Sequence, residues 1–580
     1  MGSESSAETV FLGWEEMPLV VATRWLLKHK GSDLSQVVVA LPGARSGRLL
    51  LDCLAREAGK ALRPPEIVTA GALSDFLLEL DGTPAGRLSR TLAWARALRT
   101  LDARQLRRIV ARPPEDDDFS AWWRLAEEVR SLFGEMAAEG LEFSAVASDP
   151  TLLDQGVSRE GERQRWHALA AAQKEMSKLL AAADLVDPHL GRWQAIENEN
   201  QAKVSQIVLI GVVEASALLR RAIELSSASC TALVFAPNGL AQTFDNLGCL
   251  IASEWSEQSC SCSAEQWKVV DSPADQAQAA RDEIAQWQGA FSAEQISIGL
   301  GNPEAGPFVK RALSNERIVV RDAAGETLKN SSPARLLVAL GRFLDSERFL
   351  DFTGLLRHVD YEHCLRSTLG NIDPVATADT YFTKHLPDRI NGEWLAKKGD
   401  KRDEEVRNKI ASVWKSSEAL LAGLRGTGKV PTMQAVAGIR TFLETLYDGR
   451  SFDLNEDAGR RSFSALEQIG KHLSEIESLP AQFLDDCTIA EALALLERLL
   501  QGSYLPPVAA QEGEATIEML GWLELSLDNA PALVVLGFED GHVPESVRGD
   551  AYLPNSLRKS LGILDDEQRL ARDIYASELL

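Results

Sequence analysis

The sequence predicts an α/β fold with two parallel-sheet domains, each interrupted by a mainly helical insertion. Three observations carry that prediction. In two separate regions, short apolar runs alternate with amphipathic stretches, the mark of buried parallel strands covered on both faces. Between and after those regions lie long segments with helical spacing and few strand runs. The chain has 580 residues, more than one hydrophobic core organises, so several domains are required.

Taken in order, Val10 to Leu12 reads as a strand, and Leu19 to Leu27 has helical apolar spacing. Val37 to Leu41 is a second strand, turned by Pro42 and Gly43 into a helix whose apolar face carries Leu49, Leu50, Cys53 and Leu54. Ile67 and Val68 begin a third strand-helix unit that runs to Leu80. Residues 86–195 read as helical, with the acidic PPEDDD (113–118) as a loop or helix start. Strand texture returns in SQIVLIGV (205–212) and TALVFAP (231–237), which places the helical segment between strands of one sheet. The second region repeats the plan. WKVVDSP (267–273), ISIGLGNP (296–303) and RIVVRD (317–322) read as strands, with helices at 275–288 and 305–313. Residues 341–503 are mainly helical, and ALVVLGF (532–538) restores a strand. The expected domains are 1–85 with 196–262, the insertion 86–195, then 263–340 with 504–580, and the insertion 341–503.

Net charge is −24, from 85 acids against 61 bases, which argues against a surface that coats nucleic acid all round. The charge is uneven. Across residues 87–112 eight arginines face only Asp102, a local charge of +7. Of these, Arg87, Arg90, Arg96, Arg99, Arg107 and Arg108 are candidates for tracking a DNA backbone; the competing reading is a solvated helix face paired with the acidic loop. Residues 384–409 mix bases with acids and carry less weight. No apolar stretch reaches the roughly 20 residues of a membrane helix, and MGSESSAETV is not a secretory signal. The loose myristoylation pattern at Gly2 and Ser6 carries no weight. Seven scattered cysteines, with only Cys260 and Cys262 close together, read as reduced structural thiols of a cytoplasmic protein.

GFEDGHVPE (537–545) then supplies a motif, G-x-x-E-G-x-x-P, through Gly537, Glu539, Gly541 and Pro544. DDEQRLARDIYASELL (565–580) supplies an acidic helix bearing Arg569 and Arg572. With FLGWEEMPLV, PPEIVTAGAL, LLRHVDYEHC and DAYLPNSLRKSLGI, in that order along the chain, these stretches resemble the AddB subunits of AddAB helicase-nucleases, counterparts of RecC. The resemblance implies two RecA-like domains of the superfamily 1 helicase plan, and a role in processing DNA double-strand ends. It also implies an AddA-like partner that hydrolyses ATP, and a PD-(D/E)XK nuclease domain, with Mg²⁺ and an iron–sulfur cluster, following Leu580. Two alternatives stand beside it: a longer parent acting mainly as an exonuclease, and a non-catalytic scaffold with a motor-like fold.

The ATPase chemistry of such a motor is missing at four places. A P-loop, G-x-x-x-x-G-K-[ST], cradles phosphates with glycine amides and a lysine. Starting from Gly13 this chain has Pro18, Leu19 and Val20 where the second glycine, the lysine and the hydroxyl belong, with Glu15 and Glu16 between. The strand that should end in an Asp-Glu pair offers only Glu214. The T-x-H-x-x-K-G segment before ALVVLGF is replaced by residues such as Gly521, Leu523, Ser526 and Leu527. The arginine expected on the γ-phosphate falls near Ser577. The sequence therefore predicts a motor fold that does not hydrolyse ATP, with no catalytic and no metal residues of its own. Glu539, Asp540 and His542 lack a ligand spacing and read as a polar loop. Trp122, Trp123 and Trp166 read as core rather than base-stacking groups, and His358 and His363 as structural. No Ser-His-Asp grouping stands out.

Overall fold

In the computed structural model, residues 7–149, 159–259, 262–390, 392–426, 428–507, 515–546 and 550–580 are described. They fall into two compact units, one drawn from 1–114, 123–323 and 509–580, the other from 115–122 and 324–508. Cys260, Gly2 and Ser6 lie outside the described residues.

The first unit holds a five-stranded and a four-stranded sheet, both all-parallel, and a two-stranded parallel pair of Thr83–Pro84 with Leu185–Val186. The five strands are β1 (Glu8–Phe11), β2 (Val37–Leu41), β3 (Glu66–Thr69), β4 (Gln206–Ile210) and β5 (Ser229–Val234), hydrogen-bonded in the order β1-β5-β4-β2-β3. A second sheet is formed by β6 (Ile296–Leu300), β7 (Val319–Asp322), β8 (Thr516–Gly521) and β9 (Ala532–Leu536), in the order β9-β6-β8-β7. All five residues of β2 are buried, as befits a strand covered on both faces. The chain is thus α/β with parallel sheets. The segment between β3 and β4 is mainly helical, and it includes helices Arg87–Arg99, Phe119–Ala138, Arg159–Ala181 and Pro188–Glu197.

WKVVDSP is not a strand. It runs as a loop between a short 3₁₀ turn at Ala264–Gln266 and the helix Pro273–Gln286. Val269 is 96% exposed, so its apolar side chain has no sheet to pack on. Ser272 caps the helix and Pro273 occupies its first turn, so local helix-start chemistry decides the segment.

The second unit is mainly helical among its described residues, from Ser332–Ser346 to Ile489–Gln501. Two-residue strand pairs tie Glu326–Thr327 to Tyr504–Leu505 and Val430–Pro431 to Asp486–Cys487. His358 is half-satisfied by its own helix: its Nδ1 accepts the Asp360 amide, and its Nε2 lies 2.9 Å from the Ser332 carbonyl. That is a structural cap.

Candidate functional site

Parallel strands present their C-terminal ends on one edge, and ligand crevices of such sheets form there. In the first unit a cleft of about 280 Å³ lies at that edge. Pro42 follows β2, Ala70 follows β3, Gly211–Glu214 follow β4 and Phe235 follows β5. The opposite wall is Leu523, Ser526 and Leu527 after β8, with Arg572, Tyr575, Ala576 and Leu579 from the helix Asp566–Leu579. Residues separated by hundreds of positions, and singled out for missing ATPase chemistry, therefore line one place.

What lines the place is mostly hydrocarbon. Phe235, Leu527 and Tyr575 are buried, and the Tyr575 hydroxyl donates to the Phe235 carbonyl at 3.1 Å. Tyr575 also meets Phe244 and Trp255 edge to face. Gly211 has φ +60°, and a Cβ there would press within 3.1 Å of the Phe235 ring and 3.3 Å of Leu527. The hydroxyls are spent locally: Ser526 Oγ donates to the Leu523 carbonyl at 2.9 Å and Ser577 Oγ to the Asp573 carbonyl at 2.8 Å.

The cleft's remaining charges answer each other. Glu214 Oε1 stands 3.9 Å from an Arg572 guanidinium nitrogen. Burial pushes the Glu214 carboxyl above its ordinary range, and the pull of Arg572 offsets this only in part. Arg572 is also held at 3.0 Å by Asp573, and Arg569 by Glu545 at 3.3 Å.

The turn after β1 is closed in a different way. Gly13, at φ +74°, donates its amide to the Ala236 carbonyl at 3.0 Å. The Trp14 amide donates to Glu15 Oε2 at 3.1 Å, and a Cβ at Gly13 would collide with that same oxygen. The chain's own carboxylate thus folds over the turn where a phosphate loop keeps its amides open. Pro18 takes the first position of the helix Pro18–Lys30, and Leu19 is fully buried in the core against the sheet. A lysine at position 19 would enter that core. These residues do not fit a nucleoside triphosphate or its Mg²⁺.

A charge cluster spans the two sheets beside the cleft. Arg45, in the helix after β2, reaches Glu518 of β8 through Nε at 3.1 Å and Asp528 through Nη2 at 2.8 Å. Arg321 of β7 pairs with the other Glu518 oxygen. The Asn529 amide reaches Cys53 at 3.4 Å alongside.

The 537–545 loop is positional rather than reactive. Gly537 donates to Gln276 Oε1 at 2.9 Å, and a Cβ on it would collide with the Asn302 backbone, so only glycine fits. Asn302 also reaches Glu539 at 3.4 Å, and Gly541 sits at φ +91°. Val543–Pro544 is a cis bond. Glu539 and His542 are exposed and 3.9 Å apart. Among the described residues no group of three or more His, Cys, Asp or Glu could hold a metal ion.

The six candidate arginines divide. The helix Arg87–Arg99 buries Leu88, Thr91, Leu92, Trp94, Ala97 and Leu98, so it is not a solvated helix. Arg87 pairs with Glu127 at 3.0 Å and Arg90 lies 3.9 Å from buried Asp187. Arg99, Arg107 and Arg108 are exposed, while Arg96 is half-buried. Trp122, Trp123 and Trp166 are buried, and Trp166 joins Trp94, Phe133 and Phe143 in an aromatic core. The cysteines Cys53, Cys230, Cys249, Cys262, Cys364 and Cys487 are unpaired thiols, with Cys230 and Cys249 pushed up to about 12 by burial.

Folding also assembles groupings that no local pattern announces. Ser332, His358 and Asp360 meet in the second unit, but His358 Nε2 is engaged by the Ser332 carbonyl and cannot take a proton from the hydroxyl. His472 bridges Ser503 Oγ at 2.8 Å and Glu475 at 3.2 Å, and the Ser503 hydroxyl also meets the Leu499 carbonyl at 3.0 Å. That carbonyl is the wrong polarity to stabilise an oxyanion, so the trio fastens a helix end. Arg558, 4% exposed, is saturated by Asp550, Glu135 and the Leu553 and Leu564 carbonyls.

No known family model matches the chain, and no curated protein matches it. Among the described residues no helix is long and apolar enough to cross a membrane.

Proposed function

We propose that the chain is the helicase-like, ATPase-inactive part of an AddB-type subunit of a cytoplasmic helicase-nuclease that processes DNA double-strand ends. In this reading its two parallel sheets are RecA-like domains that hold and guide one DNA strand, while an AddA-like partner hydrolyses ATP. The single observation that carries the reading is the cleft. Glu214, Leu523, Ser526 and Leu527, which stand where the resemblance puts nucleotide chemistry, line one mostly apolar crevice, and Glu15 covers the amides of the turn after β1. A fold that kept the crevice and replaced its chemistry fits a strand-handling partner better than an enzyme.

The test is a salt titration of binding to a tailed DNA duplex. Binding that weakens steeply and linearly in log–log form supports the reading, because phosphate neutralisation releases counterions. An absence of binding at low salt, alone and with an AddA-like partner, overturns it.

A further inference from the structure

Beside the aromatic core of the first unit, three helices bring arginines together without enough acid to answer them. Arg87 and Arg90 come from the helix Arg87–Arg99, Arg130 from Phe119–Ala138, and Arg192 from Pro188–Glu197. The carboxylates that bear on them are Asp75, Glu127 and Asp187. Arg192 is taken by Asp75 at 2.5 Å and Arg87 by Glu127 at 3.0 Å. Asp187 spends Oδ1 on capping its helix, through the His189 and Leu190 amides, and its Oδ2 reaches Arg90 only at 3.9 Å. Arg130 is left over. Its Nε and the Nε of Arg90 are buried without a hydrogen-bond partner, as is Nδ1 of His189.

Buried guanidinium N–H groups without acceptors are costly. Burial and the mutual repulsion of Arg87, Arg90 and Arg130 hold the Arg130 guanidinium below its ordinary range. Burial likewise keeps His189 below its ordinary range, on the neutral side. Four guanidinium charges against three carboxylates leave one positive charge. One charge matches one phosphodiester, whereas a free phosphate dianion would overfill the site.

We infer that Arg130, with Arg87 and Arg90 beside it, is the seat of a single nucleic-acid phosphodiester. The inference rests on the strand-binding reading and deepens it, since Arg130 was not among the arginines that the sequence alone singles out. A guanidinium donates to phosphate oxygens as a planar fork, which lysine reproduces in charge but not in shape.

The experiment compares the full-length chain with Arg130→Gln and Arg130→Lys, binding a fluorescent oligothymidylate across a salt series. The inference expects Arg130→Gln to bind more weakly and to flatten the log–log salt slope by roughly 0.7, the loss of one single-strand phosphate contact. Arg130→Lys keeps the slope. Arg130→Gln is also expected to melt no lower than wild type, because it removes a cation that has no internal partner. Wild-type binding with an unchanged slope in Arg130→Gln overturns this site and leaves the strand-binding reading standing. No wild-type binding overturns both. A melting-temperature gain with inorganic phosphate that needs Arg130, without oligonucleotide binding, overturns the phosphodiester assignment in favour of a free anion.

Discussion

The cleft at the sheet edges and the arginine cluster on the helical insertion are both places where an anion could sit, and they treat charge in opposite ways. In the cleft Arg572 faces Glu214 and Asp573, and outside its lining Glu15 covers the amide turn and Arg45 is shared by Glu518 and Asp528. In the arginine cluster the acids run out first, and Arg130 is left with no acceptor. A site that satisfies itself contributes stability and binds nothing; a site that does not is strained until a ligand arrives. The comparison separates a crevice whose charges are answered from a cluster with one charge left over.

The largest expected effect lies in the filler of the cleft. Tyr575→Ala removes a buried aromatic and its hydroxyl bond to Phe235, and should lower stability by about 3–5 kcal/mol in denaturant unfolding. A loss under about 1 kcal/mol would mean that the cleft is loosely packed and open to a ligand. Next comes Arg45→Ala, which strands buried Asp528 and should cost about 2–3 kcal/mol, at the low side for a buried pair because Glu518 is part exposed. If Arg45→Ala is neutral, the charges across the two sheets do not hold them. Arg130→Gln, which costs nothing in the same assay, sharpens the contrast.

The smallest effect is a pH dependence. A carboxyl whose folded pKa is raised contributes stability that is complete below its unfolded value, near 4.5, and lost as pH rises through the folded value. Glu214→Gln should therefore melt above wild type at neutral and higher pH, with the gap closing as the pH falls toward 4.5. A gap that widens on acidification would mean that Arg572, rather than burial, governs Glu214.

Much of the cleft was legible in the sequence because its walls follow strands, and strands such as VVVAL and ALVVL announce themselves by continuous apolar runs. Counting along the chain from those strands located Leu19, Glu214, Ser526 and Ser577. Their partners were not legible. Tyr575 meets Phe235 across 340 positions and Arg45 meets Glu518 across 473, and no spacing encodes such pairs. WKVVDSP was misread because two valines resemble a strand while Ser272–Pro273 starts a helix. The arginine run was visible, but which of its members are answered by acid depends on Glu127 and Asp187 from other helices. Arg130, with Arg124 and three acids in its own helix, gave no signal.

The proposed function requires a cleft that takes no nucleotide. The most direct measurement is ATP binding by calorimetry and ATP turnover by the purified chain, with and without single-stranded DNA. The expected result is no binding heat and no DNA-stimulated turnover. Turnover that survives repurification and disappears in Glu214→Gln would contradict the account, because it would place working chemistry in a mostly apolar crevice without a phosphate-binding lysine.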